Sequence, residues 1–463
     1  MLINGCWIDT DRKMPIENPY TGDIIGYINM ATSEEVMKAV KFAKEYRSDL
    51  TAYQRSQILY NTALEIEREA NEYINSICTE AGLCIKDAKK EITRACNLLK
   101  LCSEEAKRIT GETIFTDVTE NSKKNLAVTI REPIGLVCAI TPYNRPLNQV
   151  VVKLAPAIAA NNSVILKPSE KTPLTAIKFV RALINNGLPA KMITLITGDP
   201  KEISNALISN SYIDMITFTG SVEIGEHIAK NAGMIKKTFE LGDSGALIVM
   251  NDADLDKAVE FARSGAFNSS GQSCRGVKRI LVHEDVLDCF IEKFIEATSK
   301  LKIGDPMKPE TDIGTLINEE AAKKVESRIN GAVKMGAKVV YGGRRNKAQI
   351  TPTILTQVPR NAEIVMEETF GPCAPIIPIR DIDDAIKYVN CTKYGLQTGI
   401  FTESISNALY AFNHLAVGAV AINQGPQFGS PNIPFGGVKK SGFGREGVKY
   451  AINEMTTIKT LIL

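Results

Sequence analysis

Between Ile134 and Leu241 short aliphatic runs alternate with segments of helical length. The runs fall at 134–140, 164–166, 193–196, 213–218 and 238–241. Runs that are apolar at successive positions, rather than at every second one, mark strands buried on both faces, so this region predicts a parallel sheet covered by helices. A second series follows, with strands expected at 246–250, 279–282, 338–341, 374–379, 398–401 and 418–422. Two α/β units are therefore predicted, and sheets of this kind take nucleotides at their carboxyl edge. Upstream, turn signals at Asn18-Pro19 and Thr21-Gly22 predict a small hairpin or edge strands over the first 30 residues. Thr32-Ser33-Glu34-Glu35 is a capping-box signature, with Val36, Ala39, Val40 and Ala43 following at helical spacing. A longer helix is predicted from about Ala52 to Thr79, stopping near Gly82, and the end of the chain, 452–463, reads as a β-prone stretch suited to pairing with another subunit.

Composition narrows the classes of partner. The 463 residues are 44% hydrophobic and 23% charged, as in ordinary globular chains, and 55 basic against 53 acidic residues leave a net charge of +2. That balance argues against nucleic acid and membrane surfaces and toward a small molecule. Ten cysteines form no Cys-x-x-Cys pair, and no secretory leader is read, so free thiols in a reducing cytoplasm are expected. His227, His283 and His414 stand far apart without ligand-spaced neighbours, so neither a metal site nor a Ser-His-Asp triad is read.

One cysteine stands apart. Phe267-Asn268-Ser269-Ser270-Gly271-Gln272-Ser273-Cys274-Arg275 sets Cys274 among small polar residues. Gly271 would let the backbone approach a ligand, and Arg275 would favour the thiolate. This setting suits a nucleophile, although an exposed loop cysteine would look similar. Glu240, at the end of the run Lys237–Leu241, is either a base projecting from a strand end, its pKa raised by partial burial, or an ordinary surface glutamate. No Gly-x-Gly-x-x-Gly fingerprint occurs. Instead Phe218-Thr219-Gly220-Ser221 follows a strand and opens a helix, where free amides and a hydroxyl could receive a pyrophosphate or simply cap the helix.

Taken in order, several segments resemble the aldehyde dehydrogenase superfamily over most of the chain. They are Arg131-Glu132-Pro133-Ile134-Gly135, Thr141-Pro142-Tyr143-Asn144-Arg145-Pro146, Lys167-Pro168-Ser169-Glu170, Phe218-Thr219-Gly220-Ser221, Glu240-Leu241-Gly242, Gly271-Gln272-Ser273-Cys274, Glu367-Glu368-Thr369-Phe370-Gly371-Pro372 and Pro434-Phe435-Gly436-Gly437. The resemblance implies a Rossmann-like NAD(P)-binding domain over 1–115 and 134–242 and an α/β catalytic domain over 243–430. Small β oligomerisation arms over 116–133 and 431–463 would join a dimer or tetramer. It assigns Cys274 as nucleophile, Asn144 with the Cys274 backbone N–H as oxyanion donors, and Glu240 as the base that hydrolyses the thioester. It further implies that Lys167, Ser169 and Glu170 hold the adenosine ribose. Gly220 and Ser221 would meet the pyrophosphate, with Leu241 and Gly242 beside the cofactor. Glu368 and Phe370 would position the nicotinamide end. A carboxylate at 170 favours NAD, with NADP as a second option.

Two departures from the family pattern bear on function. Asp243 replaces the glycine that commonly follows Glu-Leu-Gly, and would either stiffen the turn or place a second carboxylate near the cofactor. Arg145 follows the oxyanion asparagine where a bulky apolar residue is common, and Asn148, Gln149 and Val152 continue its face. A substrate tunnel so lined is polar, which points to a small hydroxylated or anionic aldehyde bound by Arg145 with Asn148 or Gln149. Among branches, the chain looks most like archaeal lactaldehyde dehydrogenases, which would make lactate for deazaflavin coenzyme synthesis. Phosphonoacetaldehyde, succinate-semialdehyde and non-phosphorylating glyceraldehyde-3-phosphate enzymes come next. A coenzyme A-acylating enzyme and a non-catalytic binding protein are the remaining alternatives; Glu240 argues against the first, the intact site against the second.

Overall fold

A computed structural model describes residues 1–463. Its first sheet has eight strands in the order Cys6–Trp7, Leu2–Ile3, Ile193–Leu195, Ser163–Lys167, Leu136–Ile140, Met215–Thr219, Lys236–Glu240 and Gly442–Phe443. The five middle strands are parallel, and the short strands at either edge run antiparallel. Burial on both faces explains the unbroken apolar runs. Val137 and Ala139 enter one hydrophobic cluster, while Leu136 and Cys138 enter another on the opposite face. The chain order of the strands reverses between Leu136–Ile140 and Met215–Thr219, so the segments leaving their carboxyl ends frame a crevice.

The second sheet has seven strands in the order Lys338–Tyr341, Thr353–Thr356, Cys373–Ile379, Arg279–His283, Ala246–Val249, Gln397–Phe401 and Ala419–Ile422, all parallel except the first. Each strand expected from the pattern is present within two residues of its predicted ends. Thr353–Thr356 was not anticipated, because its buried run of four is too short to separate from a loop.

The capping box forms as read, with Thr32 and Glu35 each accepting the other's amide. The helix expected over 52–79 is instead two, Ala52–Arg68 and Ala70–Ala81, meeting at Glu69 with φ −95° and ψ 19°. Between the buried Ile66 and Tyr73 the sequence is almost wholly polar, so no apolar stripe carries one straight axis across the junction. The second helix ends at Gly82 with φ +68°, where a Cβ would collide with Thr315.

A third sheet projects as an arm, in which Leu126–Pro133 pairs antiparallel with both Thr113–Phe115 and Thr456–Ile462. The tail is thus divided. Gly442–Phe443 completes the first sheet beside Glu240, and the helix Val448–Glu454 packs Val448 and Ile452 into the first domain's core. Of the 431–463 segment assigned to the arm, 456–462 lies in the arm sheet, which Thr113–Phe115 joins from the 1–115 segment.

Candidate active site

The carboxyl ends of the parallel strands deliver most of the candidate residues to one cavity of about 290 Å³. Strand Leu136–Ile140 leads to Asn144, Met215–Thr219 to Gly220 and Ser221, and Lys236–Glu240 ends on Glu240 itself, followed by Leu241 and Gly242. From the second domain come Cys274, Glu368 and Phe370. A larger cavity of about 710 Å³ opens beside Met1, Trp7 and Tyr27 and holds none of these groups, so chemistry rather than size locates the site.

Cys274 follows a tight turn in which Ser269 and Ser270 both take φ +55°. Gly271, expected to admit a ligand, serves packing instead. A Cβ there would lie 2.2 Å from the Gly371 backbone, so its φ of +70° lets two loops touch. The half-buried thiol is pushed up to about 11 by burial; the Arg275 charge pulls the other way but does not prevail. Arg275 lies 4.7 Å over the Phe435 ring. Asn144 is buried and donates from Nδ2 to the Gln272 carbonyl at 3.0 Å, which holds the amide beside the nucleophile loop. Glu240 is buried and its Oε2 has no hydrogen-bond partner. Burial, then the charge of Glu446, raises its pKa well above the usual carboxylate range.

The sequence reading missed part of this electrostatic frame. Lys153, 1% exposed, bonds Glu446 Oε1 at 2.9 Å and Thr217 Oγ1 at 3.2 Å, and its charge opposes the rise at Glu240. A signal was present, since Lys153 interrupts the apolar run Val150–Leu154.

Of the residues expected to hold a dinucleotide, Gly220, Ser221, Leu241, Gly242, Glu368 and Phe370 line this cavity. Ser221 caps the helix Val222–Asn231 and bonds the Ile224 amide at 3.3 Å, leaving the helix start facing the cavity. Gly242 is required there, because a Cβ would sit 2.4 Å from Glu368 Oε2. Phe370 packs edge-on against Tyr143 at 6.2 Å. Lys167, Ser169 and Glu170 lie outside this cavity, beyond the adjacent strand Ser163–Lys167, and Lys167 Nζ stands 3.6 Å from Glu170 Oε2. The Ser169 hydroxyl is engaged by the Lys171 amide at 3.2 Å. Asp243 points away from the cleft, its carboxylate accepting the amides of Leu396 and Gln397 at 3.2 and 3.4 Å. It therefore stiffens the turn and adds no carboxylate to the cavity wall.

A second cavity of about 240 Å³ reaches Cys274 and Asn144 from the other side, lined by Arg145, Asn148, Gln149 and Val152. Arg94 and Arg275 join Arg145 there, making three guanidinium groups from three separate elements. None forms an ion pair within 4 Å, although Glu446 lines the same cavity and the Glu91 charge is felt by Arg94 and Arg145. Arg145 donates to Ser269 Oγ at 2.5 Å, and Arg275 to the Phe428 carbonyl at 3.5 Å. Arg94 gave no signal in the sequence because it lies on a polar face of the helix Ile85–Glu105. Gln149 is buried with Oε1 unpartnered. Outward, Arg94, Arg145, Asn148 and Ser273 also line a vestibule of about 470 Å³ that contains no hydrophobic residue.

Comparison with known proteins agrees with this geometry. Residues 7–461 match the model of the Aldehyde dehydrogenase family. The 3-sulfolactaldehyde dehydrogenase of Priestia megaterium is 40% identical, with 100% of this chain and 97% of that protein aligned. The lactaldehyde dehydrogenase of Methanococcus aeolicus is also 40% identical, over 100% and 99%. Among solved structures, the glyceraldehyde-3-phosphate dehydrogenase GapN of Methanocaldococcus jannaschii, complexed with NADP, is 39% identical with a TM-score of 0.94, covering 98% of this chain and 100% of that one. The chain belongs to the aldehyde dehydrogenase family and is an NAD(P)-dependent aldehyde dehydrogenase.

Proposed function

We propose that the enzyme oxidises a short hydroxylated aldehyde bearing an anionic group, of the kind represented by 3-sulfolactaldehyde and glyceraldehyde 3-phosphate. The observation that carries this reading is the set of Arg94, Arg145 and Arg275, none ion-paired, around the cavity that ends on Cys274, where three guanidinium groups face one lining carboxylate, Glu446, which is itself paired with Lys153. Like charges gathered in one cavity favour an anion, and guanidinium groups match the oxygens of sulfonate, phosphate or carboxylate. The unpartnered Gln149 Oε1 supplies an acceptor for a substrate hydroxyl. Lactaldehyde, ranked first from the sequence and named in one relative, has the hydroxyl but no anion. It is the second reading.

In this mechanism the Cys274 thiol first gives its proton to solvent, the thiolate Sγ bonds to the aldehyde carbon, and the resulting oxyanion is held by Asn144 Nδ2 with the Cys274 backbone N–H. Bound dinucleotide supplies the hydride acceptor that leaves an acyl group on the sulfur. Glu240, buried and with a free oxygen, then takes a proton from water as that water attacks the acyl carbon, releasing the acid and regenerating the thiolate. Coenzyme A has no required part. On the cofactor side, Lys167 and Glu170 would hold the adenosine ribose, and the carboxylate favours NAD over NADP because it repels a 2′-phosphate.

A panel of 3-sulfolactaldehyde, glyceraldehyde 3-phosphate, lactaldehyde and hexanal, run with each dinucleotide, tests the proposal. The anionic aldehydes should exceed lactaldehyde in kcat/KM by at least about tenfold, the worth of one charge-assisted contact. Arg145→Met should shrink that margin. A rate for lactaldehyde equal to or above both anions would sink the anionic reading, and faster turnover of NADP would sink the cofactor preference.

A further inference from the structure

Two buried charges that the catalytic steps leave unused lie behind the residues lining the cleft near Glu368 and Phe370. Asp243 and Lys278 are 3% and 2% exposed. The Asp243 amide donates to Glu368 Oε1 at 3.1 Å, while its carboxylate is clamped on the opposite side by the amides of Leu396 and Gln397. The carboxylate also occupies the space that a side chain at Gly245 would fill, whose Cβ would lie 3.2 Å from Asp243 Oδ2. A glycine at 243 would leave the same amide on an unclamped turn. Lys278 Nζ donates to the Gly271 carbonyl in the nucleophile loop at 2.6 Å and lies 5.0 Å from the centre of the Phe370 ring. With one hydrogen bond and no carboxylate within 4 Å, a fully buried ammonium is an expensive group to retain for packing alone.

We infer that Asp243 and Lys278 are positioning residues for Glu368. Asp243 aims its amide at the carboxylate, and Lys278 fastens the nucleophile loop at Gly271 and lies over Phe370, two residues along from Glu368. The inference rests on the reading that Glu368 contacts the nicotinamide ribose. An ionised Glu368 accepts hydrogen bonds from ribose hydroxyls better than a protonated one, so cofactor affinity should follow its titration. Burial lifts Glu368 to about 7, while the Lys278 charge, the Asp243 amide and Arg328 lower it and the Asp243 carboxylate raises it. Tyr143 and Tyr394 also face Glu368, and Arg279 and Lys439 face Asp243. The two side-chain charges thus pull the titration of Glu368 in opposite directions, and Asp243→Asn removes the charge while keeping the amide.

The test is the dissociation constant for NAD, measured calorimetrically from pH 5.5 to 8.5 on the full chain and on Asp243→Asn, Lys278→Met and Glu368→Gln, with circular dichroism to verify folding. Wild type should bind more weakly as pH falls through about 7. Lys278→Met should move that midpoint to higher pH and Asp243→Asn to lower pH, opposite signs that a packing defect would not produce. Asp243→Gly, which also loses the clamp, should weaken binding at pH 8 by about tenfold, the loss of roughly one hydrogen bond to a charged group. If Glu368→Gln removes the pH dependence while Asp243→Asn leaves the midpoint where it was, the positioning role is wrong and the cofactor role of Glu368 stands. If Glu368→Gln leaves both affinity and its pH dependence unchanged, the cofactor reading falls and takes the inference with it. Should Lys278→Met fail to fold, Asp243→Asn alone decides.

Discussion

A cysteine nucleophile is useful only as far as its thiolate is populated, and burial pushes the Cys274 thiol up to about 11 despite the adjacent Arg275. The dinucleotide-free enzyme should therefore react sluggishly with iodoacetamide at pH 7. The rate should climb about tenfold per pH unit toward 10, since the thiolate fraction grows by that factor below the pKa. Arg275→Ala removes the strongest neighbouring charge that lowers it and should slow the reaction at every pH. A rate that is flat from pH 7 to 9 would show that the thiolate is already formed. The nucleophile, oxyanion amide and base were legible because short motifs fix their neighbours in the chain. Arg94 and Glu446 were not, since their relevance depends on which distant elements the fold brings against the cavity.

The helix Asn148–Ala159 begins at Leu147, which has no side-chain cap of its own. Its cap comes from another helix. Glu91, on Ile85–Glu105, accepts the amides of Leu147 and Asn148 at 2.8 and 3.0 Å and so fixes the turn that carries Asn144 and Arg145. Glu80 does the same for the helix Pro173–Asn185, accepting Leu174 and Thr175 at 2.8 and 3.0 Å. Glu91→Ala and Glu80→Ala should each cost about 1–2 kcal/mol and lower Tm. They should differ in function: Glu91→Ala should also lose kcat/KM toward anionic aldehydes, whereas Glu80→Ala should keep it. Equal catalytic loss in both, read in the same assay, would detach Glu91 from the site. Local capping of the Thr32 kind was readable because both partners lie within four residues. Caps supplied from 56 and 94 positions away leave no local pattern.

At the scale of the whole molecule, the order of buried runs sufficed to predict two parallel sheets, because burial on both faces removes the polar alternation that would otherwise blur strand and loop. The path of the tail was less visible. Glycine-rich sequence near 436–447 does not reveal that Gly442–Phe443 returns to pair with the strand of Glu240. The arm leaves Ile458, Leu461, Ile462 and Leu463 more than half exposed on an unpaired strand edge, a surface that a second copy of the chain would cover. Light scattering is expected to give a dimer or tetramer, and deletion of 456–463 a smaller species with a lower Tm. A wild-type monomer at micromolar concentration would remove the case for the arm.

Only Asn144 and Cys274 line both the cavity of Glu368 and Phe370 and the cavity of Arg94 and Arg145. On the proposed assignment of dinucleotide to the first and aldehyde to the second, these two residues are the partition between the ligands. A reagent anchored on Cys274 occupies the partition itself. A small adduct grown toward Arg145 should block aldehyde and leave dinucleotide binding intact, while one grown toward Phe370 should do the reverse, so the direction of growth from a single sulfur selects which partner is excluded.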